Sequence, residues 1–297
     1  MNTPLPLVYV VTLNWNGRHD ILDCLSSLKR QTYPNLHIIS VDNHSSDGSP
    51  QAISEQFPDV EQIINPEDYG FGKGLNLGMV RAVERNADFV FTVSNDTLLD
   101  SECVAHLIQH TGEDVGLVAP MIYYAGQPQV IWAIGGKTNR WTLEKLSFWD
   151  GRPDPGQWPD VIEQDFVTGC ALLFPRQTLS RVGYWDENFF MYYEDSDLCR
   201  RVRCTGLRIL VVPAAKMWHK VAASSGGTAT PTERYWMARS SVHYFRKHAH
   251  GWQVPVVLFW RSGSALRTTG RLAKQKKWPA LRSYWRGLFE GLKEKIA

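Results

Sequence analysis

Residues 7–14 read LVYVVTLN, an unbroken apolar, largely β-branched run that stops on a polar residue. Three similar runs follow within the first hundred residues: LHIISVDN at 36–43, the shorter VEQIIN, and ADFVFTVSNDT. A strand with no polar alternation is covered on both faces, which is the condition of a parallel sheet. Between the runs lie IxxCLxSL, SPQAISEQF and GFGKGLNLGMVRAVER, the first and last with apolar residues at helical spacing. Strands alternating with helices predict an α/β fold whose mostly parallel central sheet is flanked by helices. Ligands of such sheets bind at the carboxyl ends of the strands. Asn14 and Asn16, Asp42 and Asn43, and Asn95 and Asp96 all fall at those ends.

The remainder reads differently. Residues 120–165 hold turns and Trp132, Trp141, Trp149 and Trp158, and predict irregular or antiparallel structure near an acceptor side. DFVTGCALLFP is a further strand-pair candidate, and RQTLSRVG a short helix. EDSDLCRRVRCTGLRILVVP predicts a helix, a stop at Gly206, and a strand ended by Pro213. From Pro231 the pattern is helical, with breaks expected at Gly251, Pro255 and Pro279.

Several classes are disfavoured. A hydrophobic content of 43% argues against wholesale disorder. The five cysteines form no CxxC pair, as expected of buried thiols in a reducing compartment. No signal peptide is expected, and no apolar stretch reaches the roughly 18 residues of a spanning helix. GFGKGLNLG is not a P-loop, since no Gly-Lys-Ser/Thr follows; its backbone N–H groups, with Lys73, are still candidates for a diphosphate. Asp42 can accept from a base or a ribose, and Asp96 can hold a hard divalent cation against phosphates. In FFMYYEDSDLCRR, at 189–201, three acids occupy four positions behind an aromatic run. Asp195, Ser196 and Asp197 fall at the expected N-cap and first turn, where the helix dipole keeps a carboxylate charged for use as a base.

VVTLNWNG, VDNHSSDGS, GFGKGLNLG, SNDT, the block 167–213 and His219 occur in the order seen in family 2 glycosyltransferases. The chain resembles that family over roughly residues 7–225, and most nearly its rhamnosyltransferase-like branch, which builds bacterial cell-surface polysaccharides. The resemblance implies an inverting enzyme of the GT-A fold that uses Mg²⁺ or Mn²⁺. It implies a nucleotide-diphosphate sugar donor, with dTDP-rhamnose as the family-level guess, and a glycan or lipid-linked acceptor. By position, Thr12, Asn14 and Asp42 match nucleotide-contacting residues, and Asp96 the last acid of the Asp-X-Asp metal motif. Asp195 matches the catalytic base, and His219 a histidine that ligates the metal or contacts the diphosphate. Asn16, Asn43, Gly72, Lys73, Asn76 and Asn95 complete the expected donor site; Trp185, Tyr192, Tyr193 and Glu194 are the expected acceptor side. Ser94 departs from the metal motif, and Gly72-Lys73 replaces the Ala-Gly common in the branch.

The expected layout is a GT-A domain over 1–230, with a nucleotide half to about 100 and an acceptor half beyond it, and a helical basic extension over 231–297. From Arg234 onward 14 Lys or Arg face 2 Glu, a net of +12, so residues 1–233 carry 2 − 12 = −10. This tail suits an interfacial helix on anionic lipid, or equally a basic helical pair packed on the domain or in a homodimer. Nucleic acid is not an expected partner; the expected location is the cytoplasm, at the inner face of the membrane. The competing functions are a pyrophosphorylase-like nucleotide-sugar enzyme and a non-catalytic carbohydrate-binding protein. The first would place a basic Gly-rich signature where this chain has NWNGRHD; the second has no need of both Asp96 and Asp195.

Overall fold

The computed structural model describes residues 5–221 and 229–294. Its first half is built as the apolar runs demand. β1 (Val8–Asn14), α1 (Arg18–Lys29), β2 (Leu36–Asp42), α2 (Ser49–Gln56), β3 (Glu61–Ile64), α3 (Phe71–Glu84) and β4 (Phe89–Ser94) alternate along the chain. A short β5 (Thr97–Leu99) and α4 (Cys103–Gln109) lead to the long β6 (Val115–Tyr124) and β7 (Gln127–Ala133). β8 (Lys137–Thr138) and β9 (Lys145–Leu146) form a separate small ribbon, followed by β10 (Ile162–Gln164), β11 (Ala171–Pro175), α5 (Arg176–Val182), α6 (Glu194–Cys204) and β12 (Arg208–His219). Three helices close the chain: α7 (Pro231–His248), α8 (Gln253–Lys274) and α9 (Trp278–Lys293).

The main sheet runs β10-β12-β6-β11-β4-β1-β2-β3, with β5 on β12 and β7 on β6. β1 to β4 are mutually parallel; β11 is antiparallel to β4 and β6, and β12 is parallel to β6. The carboxyl ends of β1, β2, β4 and β12 therefore share one edge. Successive β1 residues serve opposite faces: Val8 and Val10 join one buried cluster with Ile21, Leu25 and Leu28 of α1, while Tyr9 and Val11 join another with Leu75 and Met79 of α3. Gly78 lets α3 lie against β1, because a Cβ there would come within 2.4 Å of Val11.

The sequence expectation for Pro213 is corrected. β12 runs on to His219, because the register against β6 shifts between Val212 and Lys216 and takes up Pro213, Ala214 and Ala215 as a bulge. A residue without an N–H is tolerated at such a bulge. The tail helices break at 249–252, around Gly251, and at 275–277; Pro255 and Pro279 follow these breaks in the first turn of the next helix, where an amide N–H has no intrahelical acceptor to lose.

The C-terminal helices are tied to α6 through Asp197, which is fully buried. Its carboxylate accepts from Arg201 Nε at 2.8 Å and lies 2.7 Å from Lys247 Nζ and 2.8 Å from His248 Nε2. Burial opposes its charge, but the His248 hydrogen bond and the Arg201 and Lys247 cations hold the carboxyl below its ordinary value. Replacing Asp197 with Ala strands these cations beside an apolar core. The expected cost is about 3–5 kcal/mol, read from urea unfolding.

Candidate functional site

At the shared edge, β1, β2 and β4 present one hydrogen-bonded set. Asn14 Nδ2 donates to Asp42 Oδ1 at 3.0 Å, and Asn95 Nδ2 donates to Asn14 Oδ1 at 2.8 Å. Asp42 Oδ2 accepts from the Ser45 N–H at 2.7 Å, and Asn16 Oδ1 from the Ser46 N–H at 2.8 Å. Asn43 donates to Asp68 and to the Gly70 carbonyl, fixing the entry to α3. Asn16 is exposed and Asn95 half-buried, whereas Asn14, Asp42 and Asn43 are buried behind them.

Asp96 and His219 meet beside this set. The β12–β5 pairing places His219 opposite Thr97, and His219 Nε2 lies 3.1 Å from Asp96 Oδ1. The bulge at Pro213 makes this possible, since a strand stopped there would not reach the edge. Trp132 covers the imidazole at 4.2 Å between ring centroids. His219 Nδ1 is buried without a hydrogen-bond partner. Burial disfavours the charged ring, but the neighbouring Cys170 sulfur and the Asp96 carboxylate raise its pKa to about 10. A divalent cation would displace the ring proton, and the imidazole and carboxylate then fit one that takes its other ligands from phosphate oxygens and water. Among the described residues no cluster of three or more His, Cys, Asp or Glu forms a self-sufficient metal cage.

Asp195 lies in the first turn of α6. The helix cap is the backbone of Tyr193 and not one of the acids, a correction to the capping expectation. Tyr192 and Tyr193 both have φ near +67°, and strain of about 1–3 kcal/mol per residue is usual for such backbone. Asp195 Oδ1 accepts from the Ser196 N–H at 2.6 Å and from Ser196 Oγ at 2.9 Å. Lys145 Nζ lies 3.6 Å from the same oxygen. The two halves of the site are linked by the 168–170 turn: a Cβ at Gly169 would lie 3.5 Å from the Asp195 side chain, and the Cys170 carbonyl accepts from the Ser94 N–H at 2.8 Å.

Other expected residues have different work. Thr12 is fully buried within β1. Gly72 is a packing position, where a Cβ would come within 2.9 Å of Trp185 Cβ. Asn76 Nδ2 donates to the Trp185 carbonyl at 2.9 Å and its Oδ1 accepts the Trp185 N–H at 3.0 Å. Trp185 itself packs in the core on Phe71 and Phe174 rather than bordering an acceptor. The Phe190 carbonyl accepts the Phe71 N–H at 2.9 Å, so one donor at the start of α3 is already taken; Lys73 lies over the Tyr69 ring.

The aromatic run is also turned from its expected use. Phe189 is core, Phe190 stacks on Trp236, and Tyr193 packs on Tyr244 and Phe245. Tyr192 is half-buried, and burial with nearby Glu233 and Glu194 raises its hydroxyl to about 12. Glu194 is buried with Oε2 unpartnered, so it backs Asp195 rather than facing an acceptor. Sequence reasoning missed Lys145, which lies in the irregular middle segment with no motif around it, and Trp132, whose ring gives no sign of its neighbour.

The family described as Glycosyl transferase family 2 matches residues 8–174. The N-acetylglucosaminyl-diphospho-decaprenol L-rhamnosyltransferase of Mycobacterium tuberculosis is 25% identical over 287 residues, covering 87% of this chain and 91% of that protein. The dTDP-rhamnosyl transferase RfbF of Shigella flexneri is 22% identical over 282 residues, covering 91% and 89%. Among solved structures, the mannosyltransferase PcManGT from Pyrobaculum calidifontis, in complex with GDP-Man and Mn²⁺, has a TM-score of 0.61 at 18% identity and covers 99% of this chain and 89% of its own. S. aureus TarS 1-349 in complex with UDP-GlcNAc has a TM-score of 0.59 at 16% identity, covering 97% and 81%. These likenesses show a shared GT-A fold.

Burial, then the Asp195 charge, raises the Glu194 carboxyl from 4.5 to about 8. Its stabilising proton is fully effective below pH 4.5, and the effect is lost as pH rises toward 8, because the unfolded chain releases the proton first. Glu194→Gln should flatten the fall in stability across that window and stabilise the protein at neutral pH by on the order of 1–3 kcal/mol. Urea unfolding at a series of pH values reads this directly.

Proposed function

Since the chain belongs to glycosyl transferase family 2, we propose that it moves a sugar from a nucleotide-diphosphate donor to a hydroxyl of a lipid-linked glycan, inverting the anomeric carbon. The donor we propose is dTDP-rhamnose, which the names of the two relatives support, and the setting we propose is cell-surface polysaccharide synthesis. The observation that carries the reading is the arrangement of Asp195. It stands in the first turn of α6, beside the Lys145 cation and next to the 168–170 turn, whose Cys170 carbonyl accepts from Ser94, two residues before Asp96.

Asn16, Asn95 and Lys73, with Asn14, Asp42 and Asn43 behind them, are the proposed donor contacts at the strand ends. Asp96 and His219 are the proposed holders of Mg²⁺ or Mn²⁺. Such an ion, when bound, offsets the charge that develops on a leaving diphosphate. Asp195 takes the proton of the acceptor hydroxyl, whose oxygen then attacks the anomeric carbon from the face opposite the diphosphate. One base is enough for this single displacement. Lys145 Nζ lies 3.6 Å from the carboxylate that acts as base. Glu194 stays protonated at neutral pH and so adds no second negative charge beside it.

Asp195→Asn is nearly isosteric and leaves the Asp197 tether intact. It should lower transfer by roughly 10²–10⁴-fold while donor binding and urea stability remain close to wild type. Unimpaired turnover in that variant would remove Asp195 from the role of base. Chelation should abolish turnover, and added Mn²⁺ or Mg²⁺ should restore it in the wild type but not in Asp96→Ala, measured by release of nucleoside diphosphate.

A further inference from the structure

The helix α8 is poorly covered by its own chain. Of its 22 residues only Val257 and Leu272 are buried. Leu258 is 61% exposed, Phe259 82% and Leu266 70%. At about 100° per residue, Val254, Leu258, Leu266 and Phe259 fall within an arc of roughly 140°. One side of that arc lines an apolar groove of about 580 Å³, closed opposite by Trp285, Leu288, Phe289 and Leu292 of α9. Phe289 and Leu292 are themselves exposed, as are Trp252 and Trp278 at the helix starts.

The charge on this surface is predominantly positive, its acid on α9 being Glu290, paired with Arg286 at 2.8 Å. Residues 250–289 contain eight Lys or Arg and no Asp or Glu. Arg267, Arg271 and Lys274 follow the apolar arc around the helix, and Arg261 on its other side is fixed to Glu144 at 3.0 Å. A helix with an uncovered apolar arc and cations beside it has the make-up of a segment lying in a membrane interface. A second copy meeting this face through its own would set eight cations against eight.

We infer that the exposed faces of α8 and α9 dock on an anionic lipid bilayer, with Leu258, Phe259 and Leu266 entering the acyl boundary and the cations at headgroup level. The position relative to the site supports this. A second cavity of about 580 Å³ is lined both by Phe259, Trp260 and Arg267 of α8 and by Lys145, the residue beside Asp195. The docked face thus borders a cavity that reaches the residue beside the proposed base. Among the described residues no helix is long and apolar enough to cross a membrane, so the contact is peripheral.

The test is flotation of the full chain with vesicles of phosphatidylglycerol and phosphatidylcholine in equal parts, and with phosphatidylcholine alone. Binding should be strong to the first, weak to the second, and reduced by salt. Leu258→Ser combined with Phe259→Ser should weaken binding by roughly ten-fold or more, with urea stability unchanged because both side chains are exposed. Arg267→Gln with Arg271→Gln should weaken binding to the anionic vesicles alone. Absence of wild-type binding, or binding unaffected by both pairs, overturns the inference. So does a dimer in analytical ultracentrifugation that the serine pair dissociates, which would assign the face to a second copy. Donor hydrolysis in detergent-free buffer tests the catalytic reading separately.

Discussion

A single buried carboxylate holds this molecule in its working form. Asp197 has no contact with water, and two cations and a histidine meet on it from two regions of the chain: Arg201 from its own helix, Lys247 and His248 from α7. Ion pairs of this kind stabilise little relative to an apolar replacement, yet leaving one partner alone is costly. The network therefore works mainly as a register. It specifies how the C-terminal helices sit on α6, and hence where the first turn of α6 points.

That first turn carries unfavourable backbone on one side and unfavourable charge on the other. Tyr192 and Tyr193 occupy left-handed conformations without being glycines, and Glu194 is buried with an unpartnered oxygen. Both are tolerated because the flanks are over-determined. Phe189 and Tyr193 pack into a cluster with Leu143, Tyr244, Phe245 and Val257, while Asp186 joins Lys247 at 2.6 Å. Asp195 emerges between these fixed points. This strained helix start, with its buried acid, is supported by a second layer, the C-terminal extension.

The parts of the fold legible in the sequence were those in which one local pattern has one solution. LVYVVTLN and LHIISVDN could only be strands covered on both faces, so the sheet and its polar edge followed. Asp42 reaches that edge because it ends β2, and Asp96 because it sits in the turn between β4 and β5. What escaped depends on contacts distant in the chain. Trp185 reads as a surface aromatic until the Asn76 amide is seen to fix its backbone. Pro213 reads as a strand end unless the register of β6 is known. FFMYY reads equally as a sugar platform or as a packing face, and α7 decides for the latter.

The bulge in β12 joins two ladders that are set independently. Up to Val212 the strand is in register with Val115–Pro120, inside the core; from Lys216 it is in register with Met121–Tyr124, at the edge. Because strand side chains alternate, one residue more or fewer within Pro213–Ala215 would leave the first ladder untouched and turn over every side chain in the second. His219 would leave Asp96, and a neighbour would take its place. The bulge is thus a selector of what faces Asp96, and a lineage could exchange the imidazole for another side chain there by changing length rather than identity, with no disturbance to the core.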